Sequence, residues 1–245
     1  MGDPVVLLAQ ISDLHLDGTA RTSERAARTV GYLRSLPRPP DALLVTGDVA
    51  DHAAVAEYEE AAKLLDLPFP VLTAPGNHDR RGPWREVLLR ETAAETPVNR
   101  AADIGGISIL MCDSTIPGAD DGLLAPETLD WIEATLTGRP AVLAFHHPPV
   151  DVHHPLPDSY PLGGRPALAA LLDRHPQVIA LITGHAHTAA AATFAGRPVI
   201  VGPAVTWTLR MPWEGREIAD LGQPPGVAFH LVHERSIVTH FRNVL

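Results

Sequence analysis

The segment Asp41-Ala-Leu-Leu-Val-Thr-Gly-Asp48-Val-Ala-Asp51 joins a short run of strand-forming residues directly to a glycine and an aspartate. A run of this length, rich in leucine and β-branched residues, favours a buried strand. In open α/β sheets, the groups that carry function collect just beyond the carboxyl ends of the strands. Asp48 is therefore predicted to leave the sheet and enter a functional site.

Four further segments have the same arrangement, in which a short apolar run is followed by polar residues. They are Ser12-Asp13-Leu14-His15, Gly76-Asn77-His78-Asp79, His146-His147-Pro148 and Gly184-His185-Ala186-His187. Their oxygen atoms and imidazoles suit ions such as Mn, Fe or Zn. Alternate residues of an extended segment lie on one side, so Asp13 with His15 and His185 with His187 can each present two ligands together. The sequence predicts a site for two metal ions centred on Asp48.

Size and charge narrow the class of protein. The chain has 245 residues, of which 45% are hydrophobic, and this is enough for one large core. We expect a single domain over residues 1–245. With 19 basic and 29 acidic residues the formal net charge is −10, so the chain lacks a broad positive surface for polymeric nucleic acid. A small-molecule substrate is favoured over nucleic acid.

The chain shows no sign of export or of membrane insertion. Its N-terminus lacks the basic region of a secretory signal, and no stretch reaches the roughly 18 apolar residues of a membrane-spanning helix. The single cysteine, Cys112, lies in an apolar run and cannot form an internal disulfide. We expect a cytoplasmic protein that does not act at a membrane.

Hydrophobic periodicity predicts alternating strands and helices, followed by short antiparallel strands. The predicted strands are residues 5–11, 42–46, 70–73, 107–112, 141–145, 178–183, 191–194, 198–201, 227–233 and 236–241, and the predicted helices are residues 23–36, 52–66, 84–92, 126–136 and 165–175. Ser23 is the expected N-cap of the first helix, and Asp120-Asp-Gly122 is an expected turn. Pro148–Gly164 holds five of the 24 prolines and is predicted to be an ordered loop at the substrate rim. This pattern indicates an α/β domain.

The five polar segments, in the order D-x-H, G-D, G-N-H-D, H-H-P and G-H-x-H, together resemble the calcineurin-like metallophosphoesterase superfamily. The resemblance implies a four-layer α-β-β-α sandwich of two mixed sheets flanked by helices. It also implies roles for individual residues. One metal ion would take Asp13, His15 and His187, the other would take Asn77, His146 and His185, Asp48 would bridge them, Asn77 and His78 would contact the phosphoryl group, and Asp79 would orient the His78 ring.

Such a pair of metal ions implies hydrolysis of a phosphoester. Two cations about 3.5–4 Å apart acidify a shared water and stabilise charge on the attacking and departing oxygens. The expected reaction is in-line attack on phosphorus by a metal-bridging hydroxide. The ions would be divalent or trivalent, namely Mn, Fe or Zn, and the ligand types do not choose among them.

The finer resemblance is to bacterial class III cyclic nucleotide phosphodiesterases and their glycerophosphodiesterase relatives. It rests on the Asn-His-Asp and His-His-Pro-Pro forms and on the segment Ala192-Thr-Phe-Ala-Gly-Arg-Pro-Val199. It implies a phosphodiesterase that acts on cyclic nucleotides, with 3′,5′-cAMP favoured. A glycerophosphodiester and a 2′,3′-cyclic nucleotide are alternative substrates, and a non-catalytic metal-binding scaffold is an alternative of another class. Dimers are common among such relatives, although no residue here demands one.

Several polar and aromatic residues outside the five segments have simpler interpretations. His153 and His154 are better explained as part of a solvated loop than as substrate contacts. Tyr160 and Trp207 likewise either contact the substrate or belong to a loop. For Trp207 the two interpretations are stacking on a base and packing in a loop or dimer contact. Asp51 is explained by helix capping or by turn chemistry.

Overall fold

The computed structural model describes residues 5–245, which form sixteen strands, five α-helices and two other helical turns. In chain order they are β1 (Val6–Ile11), α1 (Ala20–Ser35), β2 (Ala42–Thr46), α2 (Val55–Leu64), β3 (Val71–Ala74), α3 (Arg81–Pro83), a π-helix (Trp84–Leu89), β4 (Arg100–Ile104), β5 (Ile107–Met111), β6 (Thr115–Ile116), β7 (Ala119–Leu123), α4 (Pro126–Thr135), β8 (Ala141–Ala144), a 3₁₀ turn (Pro157–Ser159), β9 (Leu162–Gly163), α5 (Arg165–Arg174), β10 (Val178–Thr183), β11 (Ala190–Phe194), β12 (Arg197–Val201), β13 (Thr208–Leu209), β14 (Ala219–Asp220), β15 (Gly226–His233) and β16 (Ser236–Asn243). Within these residues no helix is both long and apolar enough to cross a membrane.

Two large sheets form the centre of the molecule. The first has the order β16-β15-β1-β2-β3, in which β1, β2 and β3 are parallel, β15 is antiparallel to β1, and β16 is antiparallel to β15. The second has the order β11-β12-β10-β8-β5-β4, with four parallel inner strands and an antiparallel strand at each edge. The predicted terminal hairpin and the mixture of parallel and antiparallel strands are confirmed.

The sheets stack face to face, and helices cover their outer faces. Buried side chains from both sheets form the layer between them, including Leu8, Leu44, Ile109, Val142 and Ile182. A second apolar cluster lies under α1, α2 and the π-helix, and a third lies under α4 and α5. The four-layer α-β-β-α sandwich is therefore confirmed.

Three of the strands that end at the polar segments are buried on both faces. All residues of β2, β8 and β10 are buried. Strands of a parallel sheet covered on both sides carry continuous apolar runs and not alternating ones, because neither face meets water. This is why the sequence located these strands well.

The structure corrects four local predictions. Helix α1 begins at Ala20 with Thr19 as its N-cap, so Ser23 is not the cap, and Asp17 accepts hydrogen bonds from the Thr19 amide and the Thr22 hydroxyl instead. The turn predicted at residues 120–122 is wrong, because residues 119–123 form β7, which pairs with β6 and β9. Residues 84–89 form a π-helix, and the irregular passage predicted after them contains β4.

Buried His230 on β15 predicts a pH dependence of stability. Burial lowers its pKa from 6.5 to about 3, so the folded protein holds it neutral. Between these two values the unfolded chain binds more protons, and acidification therefore favours unfolding. We expect this group alone to reduce the free energy of unfolding by up to about 1.4 kcal/mol per pH unit below pH 6.5. Urea denaturation of metal-free wild type and His230→Gln between pH 7 and pH 5 measures it, and equal slopes for both proteins would contradict the assignment.

Candidate metal centre

Both sheets contribute to the predicted metal site. Asp13 and His15 follow β1, Asp48 follows β2 and Asn77 follows β3 in the first sheet, whereas His146 follows β8 and His185 and His187 follow β10 in the second. These five strands are parallel within their sheets, and their carboxyl ends meet at one edge of the sandwich. The structure brings all seven predicted ligands to this edge.

Five of these seven residues have left-handed backbone conformations. Their φ angles are 55° at Asp13, 44° at His15, 49° at Asp48, 68° at His185 and 50° at His187. Such a conformation costs a residue with a Cβ about 1–2 kcal/mol, and strain of this kind concentrates at functional sites. Hydrogen bonds between loops hold it in place: the Asp13 amide donates to the Gly47 carbonyl at 3.0 Å and the His15 amide to the Asp48 carbonyl at 2.9 Å.

The first group of predicted ligands is compact and buried. Asp13, His15, Asp48 and His187 each offer a ligand atom, and these atoms all lie within 4.8 Å of one another. Nε2 of His187 lies 3.5 Å from an Asp13 carboxylate oxygen and 3.1 Å from Nε2 of His15. This group matches the ligand set predicted for one metal ion together with the bridging carboxylate.

The second group shares Asp48 with the first. Oδ2 of Asp48 lies 3.4 Å from Nε2 of His15 and 3.2 Å from Nε2 of His146. The side-chain oxygen of Asn77 lies 3.1 Å from Nε2 of His146 and 3.2 Å from Nδ1 of His185. Asp48 therefore lies between the two groups, where a bridging carboxylate is required.

The outer ring nitrogens test whether these histidines fit a metal ion. In each of three histidines, Nδ1 contacts an oxygen: Asp51 Oδ1 at 2.7 Å from His15, the Thr46 carbonyl at 2.7 Å from His146 and the Trp207 carbonyl at 3.2 Å from His187. A carbonyl only accepts hydrogen bonds, so Nδ1 carries the proton in His146 and His187, and a neutral ring then presents the Nε2 lone pair to the site. Metal-ligating histidines have this arrangement.

One carboxylate oxygen of Asp13 also indicates that the site fits a metal ion. Oδ2 of Asp13 is buried, and no hydrogen-bond donor within residues 5–245 reaches it. A buried polar atom without a partner is costly, and a cation at this position would remove that cost. The donor set, with two carboxylates, one amide oxygen and four imidazoles, fits two transition-metal ions.

Without a metal ion, the Asp48 carboxylate and the His146 imidazole shift each other's pKa strongly. Burial raises the pKa of Asp48, but His146, His15 and His78 together outweigh this effect, with His146 contributing most, and hold that pKa well below its usual range. Burial lowers the pKa of His146, but Asp48, Asp13 and the Thr46 carbonyl together outweigh this effect, with Asp48 contributing most, and raise the pKa to about 9. The space beside the Asp48 carboxylate thus favours a positive charge.

His78 lies beside this centre, and Asp79 does not orient it. The His78 amide donates to Oδ1 of Asp48 at 2.9 Å, and its Nδ1 donates to the Asp51 carbonyl at 2.9 Å. The buried Asp79 carboxylate instead accepts hydrogen bonds from the amides of Val49, Ala50 and Gly76. The predicted contact from Asp79 to the His78 ring is wrong, and Asp79 ties together the loops that carry Asp48 and Asn77.

Asp51 is a candidate functional residue that was not predicted from the sequence. Its carboxylate contacts Nδ1 of His15, and its carbonyl accepts the bond from His78, so one residue orients both rings. It lies three residues after Asp48, and this short distance from a predicted ligand was the signal in the sequence that could have indicated it. It does not cap α2, where the Glu57 carboxylate accepts the bond from the Ala54 amide.

We expect Asp51→Asn to weaken metal binding. An amide cannot match the charge of the carboxylate that holds His15, and loss of such an outer contact typically lowers metal affinity about 10–100-fold. Isothermal titration with Mn²⁺ measures the change, and Asp173→Asn, an exposed substitution on α5, is the matched control. Wild-type affinity in the Asp51 variant would contradict this role.

His147 is a structural neighbour of the centre. It is buried, its Nδ1 contacts the Ser114 hydroxyl at 2.9 Å, and its Nε2 contacts the Asp120 carbonyl at 3.0 Å. A Cβ on Gly122 would collide with its ring. His147 therefore links the strand that carries His146 to β7.

A cavity of about 300 Å³ opens beside the metal centre. Apart from predicted ligands, its wall includes Leu156, Pro157, Tyr160, Trp207 and Leu209. Trp207 also stacks on His187, with ring centroids 4.0 Å apart. The proline-rich loop therefore supplies part of the rim. Its His154 is buried, where its Nδ1 accepts a hydrogen bond from the Leu156 amide, and this corrects the prediction that it is solvated.

A second cavity of about 360 Å³ lies on the other side of His78. Asp51, Asn77, His78 and Asp120 line both cavities. The second one has a polar wall that includes His52, Arg80 and Thr115, and it has no tryptophan or tyrosine in its lining. The predicted phosphoryl-binding residues thus stand between an aromatic and a polar cavity.

Comparison with known proteins identifies the family. Residues 6–189 match the sequence model of the calcineurin-like phosphoesterases. The chain belongs to the calcineurin-like phosphoesterase family. A cAMP/cGMP dual specificity phosphodiesterase of Mycobacterium tuberculosis is 33% identical over 84% of this chain and 69% of its own length. A glycerophosphodiester phosphodiesterase of Enterobacter lignolyticus is 32% identical over 74% of this chain and 71% of its own length.

A solved structure shares the fold. A dimetal phosphatase from Danio rerio superposes with a TM-score of 0.73 over 99% of this chain and 98% of its own, at 15% identity. The predicted superfamily and its fold are confirmed, and the protein is a metal-dependent phosphodiesterase. The site also supports the predicted pair of metal ions.

Proposed function

We propose that this phosphoesterase hydrolyses cyclic nucleotides, with 3′,5′-cAMP preferred. The observation that carries the proposal is the aromatic cavity, which borders the metal centre directly and offers Trp207 and Tyr160 to a base. A base stacked on an aromatic side chain gains about 1–3 kcal/mol. A relative that is 33% identical carries the name cAMP/cGMP dual specificity phosphodiesterase, which supports the same substrate class.

The proposed ligand sets follow from the two groups of residues. Asp13, His15 and His187 would hold one ion, Asn77, His146 and His185 would hold the other, and Asp48 would belong to both sets. When bound, the ions acidify a water and supply positive charge that stabilises the phosphoryl oxygens in the transition state. We take them to be Mn, Fe or Zn.

Asn77 and His78 complete the proposed mechanism. The Asp51 carbonyl holds Nδ1 of His78, which leaves Nε2 for a phosphoryl oxygen or the oxygen of the departing alcohol. In this position His78 donates a hydrogen bond to the charge that develops on that oxygen. Asn77 contacts the phosphoryl group from its place between both cavities, and Asp79 acts as a positioning residue for the loops that carry Asp48 and Asn77.

Parallel turnover measurements test the substrate. Protein reconstituted with Mn²⁺ is given 3′,5′-cAMP, 2′,3′-cAMP and glycerophosphocholine, and kcat/KM values are compared. We expect the highest value for 3′,5′-cAMP. A preference for glycerophosphocholine would instead favour the second candidate, a glycerophosphodiesterase, which the polar cavity beyond His78 could serve by receiving the departing alcohol. A preference for 2′,3′-cAMP would favour the third candidate.

Trp207→Leu provides a sharper test of base recognition. We expect KM for 3′,5′-cAMP to rise about 5–100-fold, which corresponds to the loss of one stacking contact. Hydrolysis of glycerophosphocholine, which has no base, is the internal control. Metal content is measured alongside, because Trp207 also stacks on His187. Equal changes for both substrates would contradict base stacking at Trp207.

The remaining proposals concern the whole molecule. We take residues 1–245 to act as one catalytic domain in the cytoplasm, on a small phosphodiester and not on polymeric nucleic acid. A homodimer stays a prediction that size-exclusion chromatography with light scattering can test. A non-catalytic scaffold is disfavoured by His78, which is not a predicted ligand but is held beside Asp48 and Asp51. Failure of the metal-loaded protein to hydrolyse any activated diester would favour the scaffold.

A further inference from the structure

The predicted metal ligands come from two different sheets, so they meet only if the two sheets are held in one position relative to each other. Each proposed ion would take ligands from both, because His187 joins Asp13 and His15, and His146 joins Asn77. Between the sheets lies an apolar layer, and apolar contact is non-directional, so it does not by itself determine how far one sheet slides over the other. Directional contacts between the sheets are needed near the ligands.

Gln10 makes such contacts. It is fully buried on β1 of the first sheet. Its Nε2 donates to the Thr46 hydroxyl on β2 at 2.9 Å and to the Thr183 carbonyl on β10 of the second sheet at 2.8 Å. A single amide group therefore connects three of the strands that lead into the metal centre. Gln10 precedes Asp13 by three residues, and Thr46 and Thr183 precede Asp48 and His185 by two each.

The orientation of this amide is determined by its partners. The Thr183 carbonyl only accepts hydrogen bonds, so the amide nitrogen of Gln10 must face it, and Oε1 faces His230 on β15. Nε2 of His230, 3.2 Å away, must then donate. Neutral His230 accepts at Nδ1 from the Thr239 hydroxyl on β16 at 2.8 Å. The hydrogen bonds thus run in one direction from β16 to the second sheet.

Close packing leaves the network little freedom. The Thr183 carbonyl also accepts from the Gly202 amide at 2.7 Å, so both of its lone pairs are used. A Cβ at Gly202 would collide with the Gln10 amide. The Thr46 carbonyl accepts a hydrogen bond from Nδ1 of His146. This is a second link between the two sheets, and it ends on a predicted metal ligand.

We propose that Gln10 is a positioning residue whose buried amide holds the two sheets in the register in which their metal ligands meet. This role rests on the proposed metal function, and neither Gln10 nor its hydrogen-bond partners Thr46, Thr183 and His230 are predicted ligands. The network differs from ordinary core packing in that it can be removed without removing apolar volume.

Gln10→Met tests the proposal, because it keeps the volume of the side chain and removes its hydrogen bonds to Thr46, Thr183 and His230. We expect the variant to fold, to bind the second equivalent of Mn²⁺ at least 10-fold more weakly by isothermal titration, and to lose the spin coupling between two Mn²⁺ ions in its EPR spectrum. Ile182→Val is the matched control, because it removes one methyl group from the apolar layer next to Thr183. It should keep both the Mn²⁺ affinity and the spin coupling of wild type. Wild-type affinity and coupling in Gln10→Met would overturn the proposal.

A readout without metal separates this proposal from the proposed function. In metal-free crystal structures we expect the distance from Nε2 of His146 to Oδ2 of Asp48, 3.2 Å here, to increase in Gln10→Met. An unchanged distance would overturn the role of Gln10, whereas wild-type protein that binds no Mn²⁺ would overturn the proposed function. Should Gln10→Met not fold, Thr46→Val removes one link of the network. It is expected to shift the same distance and weaken the second equivalent about threefold, and no shift would overturn the proposal.

Discussion

Asp48→Asn is expected to abolish binding of both metal ions and to lower kcat/KM by on the order of 10³-fold or more. The Asp48 carboxylate is the only predicted ligand shared by both groups of the site, with His15 on one side and His146 on the other. Asparagine keeps its shape and its hydrogen bond from the His78 amide, so the fold should persist. Elemental analysis of the purified variant, together with turnover of an activated phosphodiester, measures both effects.

Asp173→Asn controls for the loss of one negative charge far from the site, since Asp173 is exposed on α5. It should keep wild-type metal content and turnover. An Asp48→Asn protein that retains two metal ions per chain would show that Asp48 does not bridge them. One retained ion would restrict Asp48 to a single group.

His78→Ala is expected to have the opposite pattern, with metal retained and turnover reduced about 10²–10⁴-fold. His78 is placed against the metal centre but contributes no predicted ligand, and its ring is held by the Asp51 carbonyl. Its loss removes a hydrogen-bond donor to the departing oxygen. We expect the decrease mainly in kcat, because this contact strengthens as charge develops.

A substrate with a better leaving group provides an internal check of that role. A nitrophenolate departs without much help from a donor, so the defect of His78→Ala should be smaller for a nitrophenyl diester than for 3′,5′-cAMP. His240→Ala, an exposed substitution on β16, is the matched control. Metal loss in His78→Ala equal to that in Asp48→Asn would refute the proposed role, because His78 would then be part of the metal site.

The strand ends that carry the site could be predicted from the sequence alone. The apolar runs of β1, β2, β8 and β10 and the polar residues after them were located from the sequence with errors of one residue or less at the site. Strands buried on both faces need apolar residues throughout, and the chain must become polar where it leaves the sheet. Both requirements are local and are therefore visible in the order of the residues.

Elements whose stability depends on distant partners were predicted less well. The short strand at residues 119–123 contains Asp120 and Asp121 and reads as a turn, but it pairs with β9, which lies about 40 residues further along the chain. The π-helix at residues 84–89 was predicted as ordinary helix. In both cases tertiary contacts outweigh the local preference of the residues.

Residue type and spacing were enough to predict the fold class, the seven ligands and the family, because ligand chemistry and buried strands are both local properties of the chain. How those ligands are held depends on contacts between distant residues, which are visible only in the folded protein. The carbonyls of Thr46, Trp207 and Asp51 orient three of the histidines, and a carbonyl is present in every residue, so the sequence cannot single it out. The same holds for Gln10, whose partner Thr183 lies 173 residues away and meets it only when the two sheets stack.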